Sequence, residues 1–308
     1  MPRAVPLGLQ PLQEAARQAV SRLVFFFMWL VHFLPLGAQA AIGNAAGSLL
    51  FWLIPERRRV TRINLEKCFP RMDPAARERL ARAHFRSFCR GFVEHGLLWW
   101  APRERIARLV RVEGLEHLRA LGGAPALLFV PHFSGLDAGF TRLCMELDMV
   151  GIYSRQKDAR FGELLALGRG RFGNQRQVSR QEGVRMAINA MRREGRPFYY
   201  LPDQDHGPRN AVFVPFFGVP AATVPGLHRI ARLAGARVLP CVTRMLPGGG
   251  GYVVRIEAPW ADFPTEDIEA DTRRMNAHIE AVCREIPEQY LWMHKRFKTR
   301  PPGEPGFY

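Results

Sequence analysis

The pattern of apolar and polar positions divides the chain into three stretches. From Leu23 to Pro55 there is no Asp, Glu, Lys or Arg. The stretch opens on Leu23-Val24-Phe25-Phe26-Phe27-Met28-Trp29-Leu30 and closes on Leu49-Leu50-Phe51-Trp52-Leu53-Ile54. A helix that crosses a bilayer needs about 20 predominantly apolar residues. The run is long enough, but Pro35, Gly37 and Gly43 interrupt it, so one spanning helix and two segments dipping into one leaflet both fit. Residues 56–120 are rich in arginine and helix formers. Asp73-Pro74 reads as a helix start with proline at its first position, and Phe85, Phe88, Phe92, Leu97, Trp99 and Trp100 read mostly as core. Beyond residue 110 short apolar runs alternate with helical periodicity. Strands are predicted at 126–130, 149–153, 197–201, 238–243 and 252–257, and helices at 134–147, 180–193, 224–233 and 265–286. Gly248 to Gly251 reads as a hairpin turn, and the Pro/Gly-rich tail from Pro301 as irregular. The alternation predicts an α/β fold, a mixed central sheet flanked by helices, behind an apolar membrane-anchoring segment. The division expected is an anchor over 1–55 and a catalytic domain over 56–308.

A net charge of +16 leaves nucleic acid, anionic lipid and phosphorylated substrates as partners. The apolar amino terminus decides for lipid. Arg57, Arg58, Arg59 and Arg62 follow it directly and favour a cytoplasmic face and anionic headgroups, while no nucleic-acid motif gathers the basic residues. The five cysteines are scattered, without a CxxC or a Cys/His cluster of metal spacing, and read as reduced thiols. No metal site and no cofactor is expected.

Candidate chemistry sits at the ends of three predicted strands. The first delivers Pro131-His132 with Asp137 five residues on, a histidine suited to general-base work near neutral pH and a carboxylate to orient it. Ser134 and Asp137 also fit a capping box, with the carboxylate serving only the helix start. The second strand leads to Arg155 and Lys157, and the third to Asp203, Asp205 and Arg209. The arginines suit phosphate, which they bind in bidentate fashion. Asp203-x-Asp205 also fits the metal-holding DxD of nucleotide-sugar glycosyltransferases, a reading that leaves His132 and Asp137 without work.

Several segments in order carry a resemblance: Arg62-Ile63-Asn64-Leu65, Cys68-Phe69-Pro70, His132-x4-Asp137, Pro202-Asp203-Gln204-Asp205, Gly207-Pro208-Arg209, Val212 to Gly218, and Trp292 to Pro301. The chain resembles the late lipid A biosynthesis acyltransferases of Gram-negative bacteria over nearly its whole length. It departs from the commonest pattern at Asp137, often Glu, and at His206, often Tyr. The resemblance implies a glycerolipid-acyltransferase-like fold at the cytoplasmic face of the inner membrane. It implies transfer of a fatty acyl group from acyl carrier protein to a hydroxyl of an acylated, phosphorylated glucosamine disaccharide of the Kdo-lipid IV(A) type. Another membrane-lipid O-acyltransferase is the alternative. His132 would take the proton and Asp137 orient it. One arginine of Arg169-Gly170-Arg171 would matter for catalysis, with Arg169 favoured and Arg171 at the substrate, and backbone N–H groups would share the oxyanion with it. Asp203 would position Arg169 or the substrate. Arg155, Lys157, Asp205 and Arg209 would contact the acceptor, and Lys295, Arg296 and Lys298 the membrane. Acyl-chain length, the acceptor position and the choice between carrier protein and coenzyme A stay open.

Overall fold

In the computed structural model, which describes residues 10–153, 159–179 and 183–308, the chain opens with two apolar helices, α1 (Gln10–Val31) and α2 (Leu36–Leu53), parted at Pro35. The arginine-rich α3 (Pro55–Cys68) and α4 (Pro74–Val93) follow, the latter capped by the Asp73 carboxylate on the Ala76 N–H. Three short helices, α5 (His95–Trp100), α6 (Arg103–Leu109) and α7 (Leu115–Arg119), surround β1 (Val110–Glu113). Then strands and helices alternate: β2 (Ala126–Phe129), α8 (Leu136–Leu143), β3 (Val150–Tyr153), α9 (Ala159–Gly170), β4 (Arg176–Ser179), α10 (Val184–Glu194) and β5 (Phe198–Tyr200). A hairpin of β6 (Val212–Phe216) and β7 (Val219–Thr223) precedes α11 (Gly226–Ala234), β8 (Arg237–Met245), β9 (Tyr252–Ile256) and α12 (Ile268–Glu285).

Seven strands form one mixed sheet in the order β1-β9-β8-β2-β5-β3-β4. Among the described residues, β8 and β9 are its one antiparallel pair, joined by the expected glycine turn. β2, β5 and β8 lie in the middle with helices on both faces, so their side chains are apolar on both sides rather than alternating. Leu127 and Phe129 of β2 point into one core layer, and Ala126, Leu128 and Val130 into the other. The five predicted strands are present. Unpredicted β1 and β4 are edge strands of mixed polarity, Val-Arg-Val-Glu and Arg-Gln-Val-Ser, whose weak pattern carries little signal. All five cysteines are buried and free.

α2 is long and apolar enough to cross a membrane, yet a third of it is buried against the protein. Gly43 and Gly47 let it press onto α4, where an added Cβ would lie 2.5 Å from the Cα atoms of Arg90 and Arg86 respectively. Phe51, 1% exposed, belongs to the same core as Leu65, Phe85 and Trp292. The boundary expected at residue 55 therefore falls between two helices that share one core. The opposite faces of α1 and α2 present Phe26, Leu30, Phe33, Leu49, Trp52 and Leu53 to the outside.

Candidate active site

β2 ends at Phe129, and Pro131 stops the sheet so that the chain turns out of its carboxyl edge at His132. The turn is braced from the far end of the sequence. Phe133 bridges Tyr290, the Leu291 N–H donates to His132 O at 3.0 Å, and the Ser134 N–H donates to Gln289 O at 2.9 Å. Neighbouring β5 ends at Tyr200 and delivers Asp203 to the same edge. One oxygen of Asp203 lies 2.6 Å from His132 Nδ1, and the other accepts the His132 backbone N–H at 3.0 Å. Asp203 is 2% exposed. Burial raises its pKa, but the charge and hydrogen bonds of His132 outweigh burial and carry it down to about 2. Asp203 is thus an ionised acceptor. Its Oδ1 accepts the proton that His132 carries on Nδ1, which leaves Nε2 as the other ring nitrogen.

This corrects the expected pairing. Asp137 does not orient His132; it lies in the first turn of α8 and binds other partners. Its Oδ1 accepts from Arg169 Nε at 3.0 Å and Nη2 at 2.7 Å, and its Oδ2 lies 3.1 Å from His95 Nε2. Burial raises the Asp137 pKa, but Arg169 and then His95 reverse the effect and hold it far below the usual carboxylate range. Asp203 correspondingly does not position Arg169. The capping-box reading also fails, because Gly135 is the N-cap of α8 and the Ser134 hydroxyl donates to Gln289 O. Two close approaches place Asp137 and Arg169. Gly139 lets α8 settle against Thr243 of β8, and Gly168 lets α9 settle against the Trp99 indole; in each case a Cβ would overlap its neighbour.

Two spaces meet at His132. A cleft of about 480 Å³ is lined by His132, Tyr200, Gln204, His206, Arg209 and Arg229. A groove of about 250 Å³ is lined by His132, Leu136, Asp137, His95, Phe88 and Phe92. The first sets Arg209, Arg229 and Gln204 among apolar walls, and the second is mostly apolar. Arg169 lines a third, smaller space of about 60 Å³ with Asp137, Tyr199 and Leu201. The N–H groups of His132, Phe133 and Ser134 donate to Asp203, Pro131 O and Gln289 O, so these three are not free to hold an oxyanion.

The other expected contacts separate. Arg209 is exposed at the rim of the larger cleft. Arg155 and Lys157 lie outside the described residues. Arg171 turns away and donates to Leu98 O and Ala101 O, both at 2.9 Å, tying α9 to α5. Asp205 is consumed by the chain: it accepts from the Gly207 N–H at 2.8 Å, the Thr299 N–H at 2.7 Å and the Thr299 hydroxyl at 2.9 Å. Because Asp203 and Asp205 bind opposite partners, they do not converge as a metal-holding pair. No group of three or more His, Cys, Asp or Glu side chains placed to hold a metal ion occurs among the described residues.

Much of the terminal signature is interior scaffold, which corrects the expectation for Arg296. Arg296 is 2% exposed and donates to Ala222 O and Thr223 Oγ1, so it is no headgroup contact. Lys298 reaches Asp205 O and Lys295 pairs with Glu56. Asn64 of α3 holds Trp292 O and His294 O, both at 2.8 Å. The basic cluster after α2 is also partly committed, with Arg57 on Met293 O and Arg62 on Glu78. Sequence reasoning missed His95 and Arg229. Nothing in their local pattern marks them, since each meets the site only through packing of its helix.

A family model described as bacterial lipid A biosynthesis acyltransferase matches residues 8–299. The chain is 36% identical over 284 residues to the lipid A biosynthesis lauroyltransferase of Escherichia coli (strain K12), covering 91% of this chain and 92% of that one. It is 31% identical, with the same coverage, to the lipid A biosynthesis palmitoleoyltransferase of the same organism. Among solved structures, it is similar to the 1-acyl-sn-glycerophosphate acyltransferase of Thermotoga maritima, at 15% identity and a TM-score of 0.37, over 80% of this chain and 97% of that one.

Proposed function

The chain belongs to the bacterial lipid A biosynthesis acyltransferases and is an acyltransferase; from that premise we propose that it moves a fatty acyl group from acyl carrier protein to a hydroxyl of a lipid A precursor, an acylated, phosphorylated glucosamine disaccharide. The observation that carries the reading is the His132–Asp203 pair, 2.6 Å apart, where a cleft with two arginines meets an apolar groove. Asp203 fixes the Nδ1–H tautomer. Nε2 takes the proton of the acceptor hydroxyl as its oxygen attacks the thioester carbonyl. The C–O bond forms, the C–S bond breaks, and the carrier thiolate leaves with the proton returned by His132. Base help of this kind is worth about 10²–10⁴-fold. Arg169, held by Asp137, is the donor for the developing oxyanion. The basic cleft with Arg209 and Arg229 suits the phosphorylated sugar, and the groove between Phe88 and Phe92 suits an acyl chain.

The same reading puts the enzyme on the cytoplasmic face of the inner membrane. α2 lies along α4, so a spanning α2 would carry Arg82 and Arg86 of α4 into hydrocarbon, at a cost of several kcal/mol. The exposed faces of α1 and α2 therefore rest in one leaflet, with Arg58 and Arg82 stacked over the Trp52 ring near its edge. Replacing Leu49, Trp52 and Leu53 together by Ser is expected to lower binding to anionic vesicles by about tenfold or more. The melting temperature should stay close to that of the unaltered protein. Unchanged vesicle binding would move the membrane surface elsewhere.

The decisive test of the activity is mass spectrometry of lipid A from cells with and without the protein, paired with transfer assays on the purified enzyme. A mass difference of one acyl chain, lost with His132→Ala, is expected. Identical lipid A in both cells would overturn the reading.

A further inference from the structure

His95 lies at the site, and the mechanism above leaves it without a role. It stands at the first position of α5, its side chain one-fifth exposed, and lines the apolar groove with His132 and Asp137. Its ring is fixed at both ends. Nδ1 lies 2.7 Å from Gly91 O and Nε2 lies 3.1 Å from Asp137 Oδ2. Both partners are acceptors without a proton to give: a backbone carbonyl has only lone pairs, and the Asp137 carboxylate is ionised by Arg169. A neutral imidazole has one N–H and could satisfy only one of them, setting a lone pair against an oxygen at the other. An imidazolium satisfies both.

We propose that His95 is a positioning residue held as an imidazolium, whose bond to Asp137 Oδ2 steers Oδ1 onto Arg169 and leaves the three-residue cluster with a net charge of +1 beside His132. The two carboxylate oxygens are divided between two cations. Arg169 spends Nε and Nη2 on a single oxygen, and that carboxylate neutralises only one of the two positive charges. The surplus sits where negative charge develops on the thioester oxygen. Burial works against the charge on His95, but the Asp137 hydrogen bond and its charge outweigh burial and raise the His95 pKa. The charged and titratable groups facing this ring are few. They are Asp137 on α8, Arg169 on α9, Glu94 with its partners Arg90 and Tyr252, His132 across the groove, and His32 against Gly96 at the end of α1. Glu94 is already bound to Arg90 and the Tyr252 hydroxyl, so Asp137 is the carboxylate that supports the imidazolium. Because the folded pKa is raised, the cluster is intact at low pH and comes apart as pH rises through it.

This inference rests on the acyl-transfer reading, and two measurements on the full chain in detergent separate them. Long-range ¹H–¹⁵N spectra of histidine-labelled protein report ring protonation directly. Both His95 nitrogens are expected at imidazolium shifts at pH 7, and at neutral-ring shifts in Asp137→Asn. A neutral ring at pH 7 in the unaltered protein would overturn the proposal whatever the enzyme transfers. Kinetics then read the role. His95→Leu is expected to lower kcat about tenfold with KM within about twofold, the loss of one charge-assisted bond. His95→Gln, whose amide still donates to Asp137 but carries no charge, should recover part of kcat and lose the alkaline limb of the kcat profile that His95 contributes. If His95→Leu matches the unaltered enzyme in kcat and in pH profile while melting at the same temperature, His95 positions nothing.

Discussion

Asp137, half-buried, and Asp203, fully buried, are two carboxylates at the same edge of one sheet, and they do opposite work. Asp203 turns both oxygens to His132, one to the ring and one to that residue's own N–H. Its negative charge faces Nδ1, so it can stabilise positive charge on that ring. Asp137 has two cationic partners, Arg169 and His95, and is over-neutralised. It cannot help a base. It can hold positive charge still beside the groove. The difference teaches that a histidine and an acid five residues apart form two half-sites rather than one dyad. Each is completed by a residue from a distant segment: Asp203 is 71 positions from His132, and Arg169 is 32 from Asp137.

The contrast can be broken most sharply at Asp203. In Asp203→Asn the amide donates to Nδ1, moves the proton to Nε2 and removes the basic lone pair. The expected fall in kcat is about 10²–10⁴-fold, matching His132→Ala. Asp137→Asn should leave the His132 tautomer unchanged in ¹H–¹⁵N spectra while Asp203→Asn changes it. Equal tautomer shifts in both variants would restore the pairing of His132 with Asp137. Next in size is Arg169→Met, which removes the donor and leaves Asp137 with His95. A loss of about 10²–10³-fold in kcat is expected if Arg169 meets the oxyanion. A rise in KM alone would make it a binding contact instead. The smallest effect is on stability in acid. Both carboxylates have folded pKa values below the unfolded value of about 3.9. Each therefore adds stability above that value and loses it as pH falls, Asp203 through about 2 and Asp137 lower still. The melting temperature of the unaltered protein should drop between about pH 4 and pH 2 more steeply than that of an Asp137→Asn, Asp203→Asn double variant. Parallel curves would show that neither carboxylate is held as described.

Much of the architecture was legible from pattern. β2, β5 and β8 are apolar on both faces because helices cover both, and such runs stand out against polar surroundings. β1 and β4 did not stand out, since edge strands half in contact with solvent carry mixed sequences. Pattern singled out His132, Asp203, Asp137 and Arg169 as candidates, but not which of them adjoin. Residue type announces chemistry, whereas a partner is decided by which strand ends adjoin. Arg296 shows the same limit from the other side. A run of basic residues near a terminus suggests a surface, yet Arg296 is enclosed by Ala222, Thr223 and Asn276.

What the sequence by itself determined is the set of parts. These are an uncharged amino-terminal stretch, an alternation that makes an α/β sheet, and reactive side chains at the ends of three strands, all properties of local spacing and side-chain chemistry. What only the tertiary structure decided is their assortment. Parallel neighbours β2 and β5 put Asp203 on His132, two glycines without a Cβ let α8 and α9 close on Asp137, and the packing of α5 supplied His95. It also decided that α2 is a partner of α4 as well as an apolar helix. The physical reason is range. Propensity, capping and periodicity act within a turn or two of chain, while charge pairing and close packing act through space between segments that the sequence separates by tens to hundreds of residues.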